Sequence, residues 1–357
     1  MNAEHVPRRV VVTGGCGFIG ANLVRHLLAS DPGLHICNID LLTYAGNRQS
    51  TQDLESGGRY EFVRADIADE TAMEQVFSDW RPDTVIHLAA ESHVDRSIDG
   101  PKVFVHTNVQ GTLVLLEAAR AVWKGRTDVR FHHVSTDEVF GSLADGGRFS
   151  ETTPYDPSSP YSASKAASDH LVRAWGRTYG LPYTISNCSN NYGPYQFPEK
   201  LIPLVLLRAL RGEPLPVYGT GANVRDWLYV EDHCEAIDRI VRFATSGTTW
   251  LVGGSNERTN LDMVRAVCAG LDRLQPKSDG TYDQLITFVA DRPGHDFRYA
   301  IDASRLERDL GWRAKHSLET GLERTIRWYL DHRAWTDAIV SGDYRQERLG
   351  LIGGTDV

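Results

Sequence analysis

The segment Thr13-Gly14-Gly15-Cys16-Gly17-Phe18-Ile19-Gly20 constrains the fold of this chain most, because it joins a β-rich run at residues 9–13 to a helical pattern at residues 18–29. Glycines spaced G-x-x-G-x-x-G let backbone amides approach a pyrophosphate at a helix N-terminus. A glycine run alone says little, since turns collect glycine; its place between a strand and a helix is what carries meaning.

The same alternation continues downstream. β-rich runs occupy residues 35–40, 62–66, 84–89, 129–135 and 184–187, and helical patterns fall near 72–78, 103–123 and 161–179. Strands alternating with helices predict an α/β protein with a doubly wound, Rossmann-like parallel sheet. From about Gly193 the rhythm breaks at Pro194, Pro198, Pro203, Pro214 and Pro216. Residues 1–192 are therefore read as mainly dinucleotide-binding, and 193–333 as mainly a smaller C-terminal substrate-binding region. The second region need not be contiguous in sequence, and residues 334–357 form a tail without assignable periodicity.

A net charge of −9 over 357 residues argues against binding a phosphate backbone, so nucleic acid is not an expected partner. Five cysteines without a C-x-x-C pair read as reduced and structural, and the 13 histidines show no H-E-x-x-H spacing, so no metal is expected. The start MNAEHVPRRV runs into a strand without an apolar leader, and no stretch has the length to cross a bilayer. A cytoplasmic protein without a membrane partner is the expectation.

Asp40 ends the second strand twenty residues after Gly20, where a carboxylate accepts hydrogen bonds from the adenosine ribose. Its charge would repel a 2′-phosphate, and no arginine adjoins it in sequence, which favours NAD over NADP. Asp66 and Ile67, at the end of the third strand, are placed to flank adenine. Tyr161 and Lys165 lie four residues apart on one helical face, so an ammonium can favour a phenolate in redox chemistry at an alcohol carbon.

Thr136-Asp137-Glu138 ends another apolar run at the carboxyl edge of the predicted sheet, where ligands bind. A solvated turn is the alternative for such a pair. The apolar flanks, residues 131–134 and Val139-Phe140, argue for a pocket. Two carboxyls beside a Tyr-Lys pair suggest a second, acid-base reaction coupled to the first.

The segments TGGCGFIG, LTYAGN, HLAAESHVDRS, TNVQGT, VSTDEVFG, SPYSASKAASDHLVRA, NCSNNYGPYQFPEKLIP, PLPVYG, NVRDWLYVEDH and DRPGHDFRYAID, spread over residues 9–330, resemble the dTDP-glucose 4,6-dehydratases. These are a branch of the extended short-chain dehydrogenase/reductases. The glycine turn and Tyr-x-x-x-Lys belong to the wider family, and the Asp-Glu pair marks the branch.

The resemblance implies an NAD-dependent hydro-lyase that turns dTDP-glucose into dTDP-4-keto-6-deoxyglucose and water. Tyr161, aided by Thr136 and Lys165, would take the C4 hydroxyl proton as the hydride leaves for NAD. Glu138 would remove the C5 proton, which the new ketone acidifies; Asp137 would protonate the departing C6 hydroxyl; the hydride would return to C6. It implies Gly14, Gly17, Phe18, Ile19, Gly20, Asp40, Thr43, Asp66, Ile67, Ala89, Ser92, Tyr161 and Lys165 as cofactor contacts. It implies Ser92, Thr136, Asn190, Lys200, Arg225, Asn260, Arg292 and His295 on the substrate, with Pro216 and Tyr218 against thymine. It also implies a homodimer, formed through the helices after Pro101 and at Tyr161.

Three rivals share parts of this pattern. A nucleotide-sugar 4-epimerase has no use for the Asp137-Glu138 couple, a GDP-mannose 4,6-dehydratase commonly lacks its aspartate, and a non-catalytic NAD-binding regulator would not need the catalytic groups. Two positions depart from the branch: Cys16 stands where alanine is usual, and Phe140 where tyrosine is usual. The first suggests a cofactor turn sensitive to thiol reagents.

Overall fold

The computed structural model describes residues 4–143, 146–291 and 296–340. Its strands in chain order are β1 Arg9–Thr13, β2 His35–Asp40, β3 Tyr60–Arg64, β4 Thr84–His87, β5 Arg130–Thr136, β6 Tyr183–Cys188, β7 Asn190–Tyr192, β8 Leu215–Tyr218, β9 Val224–Tyr229, β10 Thr248–Val252, β11 Glu257–Thr259 and β12 Ile286–Val289. Seven of them form a parallel sheet ordered β10-β6-β5-β4-β1-β2-β3. The expected doubly wound sheet is present. Its strand order reverses at β1, which pairs with both β2 and β4, and a crevice opens at such a point beyond the strands' carboxyl ends.

Every residue of β4, β5 and β6 is buried, as a parallel sheet covered on both faces requires. Alternation sends Val10 and Val12 to one core with Leu23 and Leu27 of helix Phe18–Ser30 and Ile237 of helix Val230–Phe243. Val11 points to the other, with Phe77, Leu115 and Val172.

The strand β10 was not among the strands expected from the sequence. It comes from the 193–333 stretch yet pairs with β6 at the sheet edge, so the two stretches share one sheet. Much of the later chain forms the β11-β9 strands that pair with β7, the parallel β8-β12 pair and helices Leu201–Leu210, Asn260–Leu274 and Leu318–Asp331. They close on their own core of Leu206, Leu215, Met263, Val267 and Ile326.

Two more features differ from the sequence reading. The helix expected over residues 103–123 is Pro101–Phe104, a π-helical turn Val105–Gln110 and Gly111–Val122 in succession. The stretch read as a tail begins with a helix, Arg333–Val340, whose Trp335 packs against Tyr195 and Trp328 and donates to Ser50 Oγ at 3.2 Å. No described helix is long and apolar enough to cross a membrane.

Candidate active site

The glycine turn closes because glycine alone fits it at two points. Gly14 has φ +73°, and a Cβ there would lie 2.7 Å from the Ala89 amide nitrogen beyond β4. At Gly20 a Cβ would stand 2.1 Å from the Gly14 carbonyl oxygen, so helix Phe18–Ser30 packs directly on the turn. The turn and the helix N-terminus therefore form a cradle whose floor is backbone, the arrangement a pyrophosphate needs.

Asp40 stands where the strand pattern placed it. Its Oδ2 accepts from the Cys16 N–H at 2.9 Å and its Oδ1 from the Leu42 N–H at 2.8 Å. Burial raises its pKa, and these two amides oppose that rise. Each oxygen keeps a further lone pair, so ribose hydroxyls can be accepted without displacing the turn. Arg48, further along, is held by Glu55 at 2.6 Å and lies over the Phe62 ring.

Ile67 forms a wall, and the Gly111 backbone presses so close that a Cβ there would be 2.6 Å from its side chain. Asp66 Oδ1 accepts from the Ala68 N–H at 2.9 Å, and its Oδ2 lies 3.1 Å from His106 Nε2. The π-helical turn brings Thr107 into the cleft. Next to it, Asn108 joins the Glu91 backbone to Ser164 Oγ on the Tyr161 helix, at 2.9–3.0 and 2.8 Å. Such turns recur at functional sites, but period counting cannot separate one from ordinary helix.

The chemical groups meet at the far side of the same cleft. Thr136 ends β5, and Asp137–Phe140 forms a single 3₁₀ turn in which Thr136 Oγ1 accepts from the Glu138 N–H at 3.3 Å. Asp137 is fully buried, and its Oδ2 has no hydrogen-bond partner among the described residues. Burial, then the neighbouring charges of Glu138 and Asp226, push its carboxyl well above the usual range, against the pull of Arg225. That environment favours the neutral acid.

Tyr161 sits one position after Pro160, the first residue of helix Pro160–Tyr179. Ser159 caps this helix: its Oγ accepts from the Ser162 N–H, and Ser162 Oγ accepts from the Ser159 N–H, at 3.1 and 3.0 Å. Burial and then Glu138 hold the Tyr161 phenol well above its ordinary pKa, with a hydrogen bond to Thr136 opposing them. Lys165 is buried too, donating from Nζ to the Val134 carbonyl at 2.9 Å. Burial lowers its pKa to about 8, against the charge of Asp169.

All thirteen expected cofactor contacts line this cleft, from Gly14 to Lys165, and so do Thr136, Asp137 and Glu138. Of the expected substrate contacts, Ser92, Asn190 and Lys200 line it, and Lys200 Nζ donates to the Ser92 carbonyl at 3.4 Å. Pro216, Tyr218, Arg225 and Asn260 lie outside the lining. Pro216 and Tyr218 are on β8 facing β12, and Asn260 opens a helix. Arg225 donates to the carbonyls of Val224, Asp296 and Phe297 at 2.7–3.2 Å. Arg292 and His295 fall outside the described residues.

The cleft also holds Tyr44, Glu91, Thr107, Cys188, Gln196 and Glu199, which sequence reasoning did not single out. Glu199 adjoins Lys200 in the run FPEK and has 2% side-chain exposure, a burial that single-sequence patterns do not announce. Among the described residues no group of His, Cys, Asp and Glu has the placement of a metal site.

The two departures have local explanations. Phe140 is buried between Phe149, stacked at 5.1 Å, and the edge of Tyr155 at 5.2 Å, in an apolar cluster with Leu251 and Ile301. Cys16 is buried as well, its Sγ 3.3 Å from Asn38 Nδ2, and burial followed by Asp40 raises the thiol to about 11. The expected sensitivity to thiol reagents is thus opposed by the structure, since neither access nor thiolate is available. Iodoacetamide at pH 7 should leave Cys16 unmodified in the folded protein, with or without NAD. Peptide mass mapping checks this, and rapid labelling would show that the turn opens.

A parallel sheet with a glycine-rich β1 turn facing a Tyr-x-x-x-Lys helix defines an extended short-chain dehydrogenase/reductase. A family model described as GDP-mannose 4,6 dehydratase matches residues 11–325. Within this class, the chain belongs to the dTDP-glucose 4,6-dehydratase family. It is 53% identical to the dTDP-glucose 4,6-dehydratase of Neisseria meningitidis serogroup B, over 96% of this chain and 99% of that one. The structure of DesIV, a dTDP-glucose 4,6-dehydratase of Streptomyces venezuelae solved with NAD bound, superposes with a TM-score of 0.86 at 45% identity, covering 93% of this chain and 99% of DesIV. The UDP-glucose 4-epimerase of Thermus thermophilus also superposes, with a TM-score of 0.81 at 31% identity over 91% of this chain and 99% of that one. Fold alone therefore does not separate dehydratase from epimerase.

Proposed function

We propose that the chain converts dTDP-glucose to dTDP-4-keto-6-deoxyglucose and water, using NAD as a recycled cofactor. The observation that carries this reading is the buried Asp137 beside Glu138, in one cleft with Tyr161 and Lys165. An epimerase needs no acid of that kind. NAD, when bound along the glycine turn, accepts the C4 hydride and later returns it to C6.

The chain's own groups handle the protons. Tyr161 takes the C4 hydroxyl proton, steadied by Thr136 and by the charge of Lys165. Glu138 removes the C5 proton and afterwards returns it, while Asp137, held neutral by burial, protonates the C6 hydroxyl as water departs. One neutral and one ionised carboxyl, side by side, is a division of labour that differing environments sustain.

Ser92, Asn190 and Lys200 are read as sugar and phosphate contacts, with Arg225, Asn260, Arg292, His295, Pro216 and Tyr218 toward the nucleotide. A homodimer is read from Val103, Val105, Leu113 and Tyr179, apolar residues exposed on the helices after Pro101 and at Tyr161. A cytoplasmic setting fits five free, buried cysteines.

One assay tests the activity. The protein is incubated with dTDP-glucose without added reductant, and the alkali-induced absorbance of a 4-keto-6-deoxy sugar is followed. Its appearance is expected; dTDP-galactose without it would identify an epimerase, and an unchanged substrate a regulator.

A further inference from the structure

Asp169 lies one helical turn beyond Lys165 and is wholly buried. Its Oδ2 accepts from the Tyr155 hydroxyl at 2.6 Å and from Asn187 Nδ2 at 3.3 Å, and its Oδ1 lies 3.2 Å from His133 Nε2. That same Nε2 is 3.4 Å from Lys165 Nζ. Asn187 Nδ2 also donates to the Thr136 carbonyl at 3.0 Å, and Arg173 donates to the Tyr155 hydroxyl at 2.7 Å. A proton on His133 Nε2 gives Asp169 a donor, whereas the other tautomer would set a lone pair against the carboxylate.

A buried carboxylate is costly unless paired and hydrogen-bonded, so the groups around this one define what it does. Lys165 is faced by Tyr161 and Asp169 from its own helix, His133 from β5, His87 from β4 with its ring tilted against that of His133, Cys188 from β6, and the Asp137-Glu138 turn. Burial keeps both histidines neutral, His133 at about 4, and pushes the Cys188 thiol up to about 12. Burial would raise Asp169 too, but His133, Lys165 and Tyr155 reverse it and hold it below the usual range. Among the charges acting on Lys165, Asp169 leads those that keep it protonated.

We propose that Asp169 is a positioning residue for the reaction: its carboxylate supplies the buried countercharge that keeps Lys165 an ammonium and, through Asn187, ties it to the Thr136 turn. This rests on the dehydratase reading above, in which Lys165 works in its charged form. Activity then falls as pH rises through the Lys165 pKa of about 8. Removing the anion lowers that pKa further, so the fall must begin at lower pH.

The test is the pH profile of kcat/KM for the NAD-loaded enzyme and an Asp169→Asn variant that retains NAD. The alkaline limb should move down by ~1–3 pH units, the shift an opposite charge at this range confers. Activity at pH 8 should fall by about fivefold or more and recover as the pH is lowered past the shifted limb. A limb that stays in place, with the same loss at every pH, overturns the proposal. If Asp169→Asn does not fold, Asp169→Ser removes the same charge with a smaller side chain. A downward shift of the limb then supports the role, and an unmoved limb overturns it. Should the wild-type chain form no 4-keto-6-deoxy product at all, the dehydratase reading fails instead.

Discussion

A Glu138→Gln variant is expected to keep its NAD and still oxidise C4, yet to lose exchange of the C5 proton with solvent and to form product ~10²–10⁴-fold more slowly. The amide is nearly isosteric with the carboxylate but cannot accept the C5 proton. The geometry separates the two half-reactions: Tyr161 and Lys165 stand on helix Pro160–Tyr179, while Glu138 stands on the 3₁₀ turn after β5. Removing one base thus leaves the other in place. Incubation in deuterated water, with C5 labelling followed by NMR and reduced cofactor by absorbance, checks both halves. Unchanged C5 exchange would refute Glu138 as the base. Because the Glu138 charge also raises the Tyr161 phenol, its loss should ease C4 proton removal, and reduced cofactor should accumulate.

The second large effect is expected at Gly20. Alanine there would set its Cβ 2.1 Å from the Gly14 carbonyl oxygen and 2.6 Å from the Gly15 Cα, both backbone atoms without a rotamer to yield. The helix must move off the turn, disturbing the cradle and the packing of Leu23 and Leu27 beneath it. Overpacking of this kind costs ~1–3 kcal/mol or more. A Gly20→Ala protein should therefore be purified without NAD and unfold several degrees lower, as thermal denaturation and cofactor content will show. A variant with wild-type NAD content and stability would mean that the turn tolerates a wider approach than the structure indicates. At Gly57, by contrast, an added Cβ would meet no atom within 4 Å, so alanine there should leave cofactor content unchanged.

Six strands of the main sheet and the Tyr161 helix were legible because each has a strong local signature. The strands are short β-rich runs, and the helix opens on Ser159-Pro160 and closes at Gly180 in the left-handed conformation. The seventh strand was not legible. β10 follows β6 in the sheet but not in the chain, and nothing within Thr248–Val252 states which neighbour it will find. The π-helical turn was hidden for a related reason, since Val105–Gln110 keeps the composition of a helix while shifting Thr107 and Asn108 round its axis. The surroundings of Arg225 were likewise not legible: it donates to three backbone carbonyls, two of them on residues some seventy positions away.

By itself, the sequence determined the parallel sheet, the glycine turn, the acidic end of β2 and the set of reactive side chains, because each rests on neighbours a few residues apart. Only the tertiary structure decided their states. Asp137 and Glu138 are adjacent in the chain and chemically alike; burial, then the charges of Glu138 and Asp226, push the Asp137 carboxyl up toward its neutral form, and Glu138 lies at the cleft wall near Tyr161. Lys165 likewise has its charge set by burial, opposed by Asp169 from its own helix and then by Cys188 from β6. Charge states depend on desolvation and on distances through space, and the order of residues along the chain specifies those only once the chain has folded.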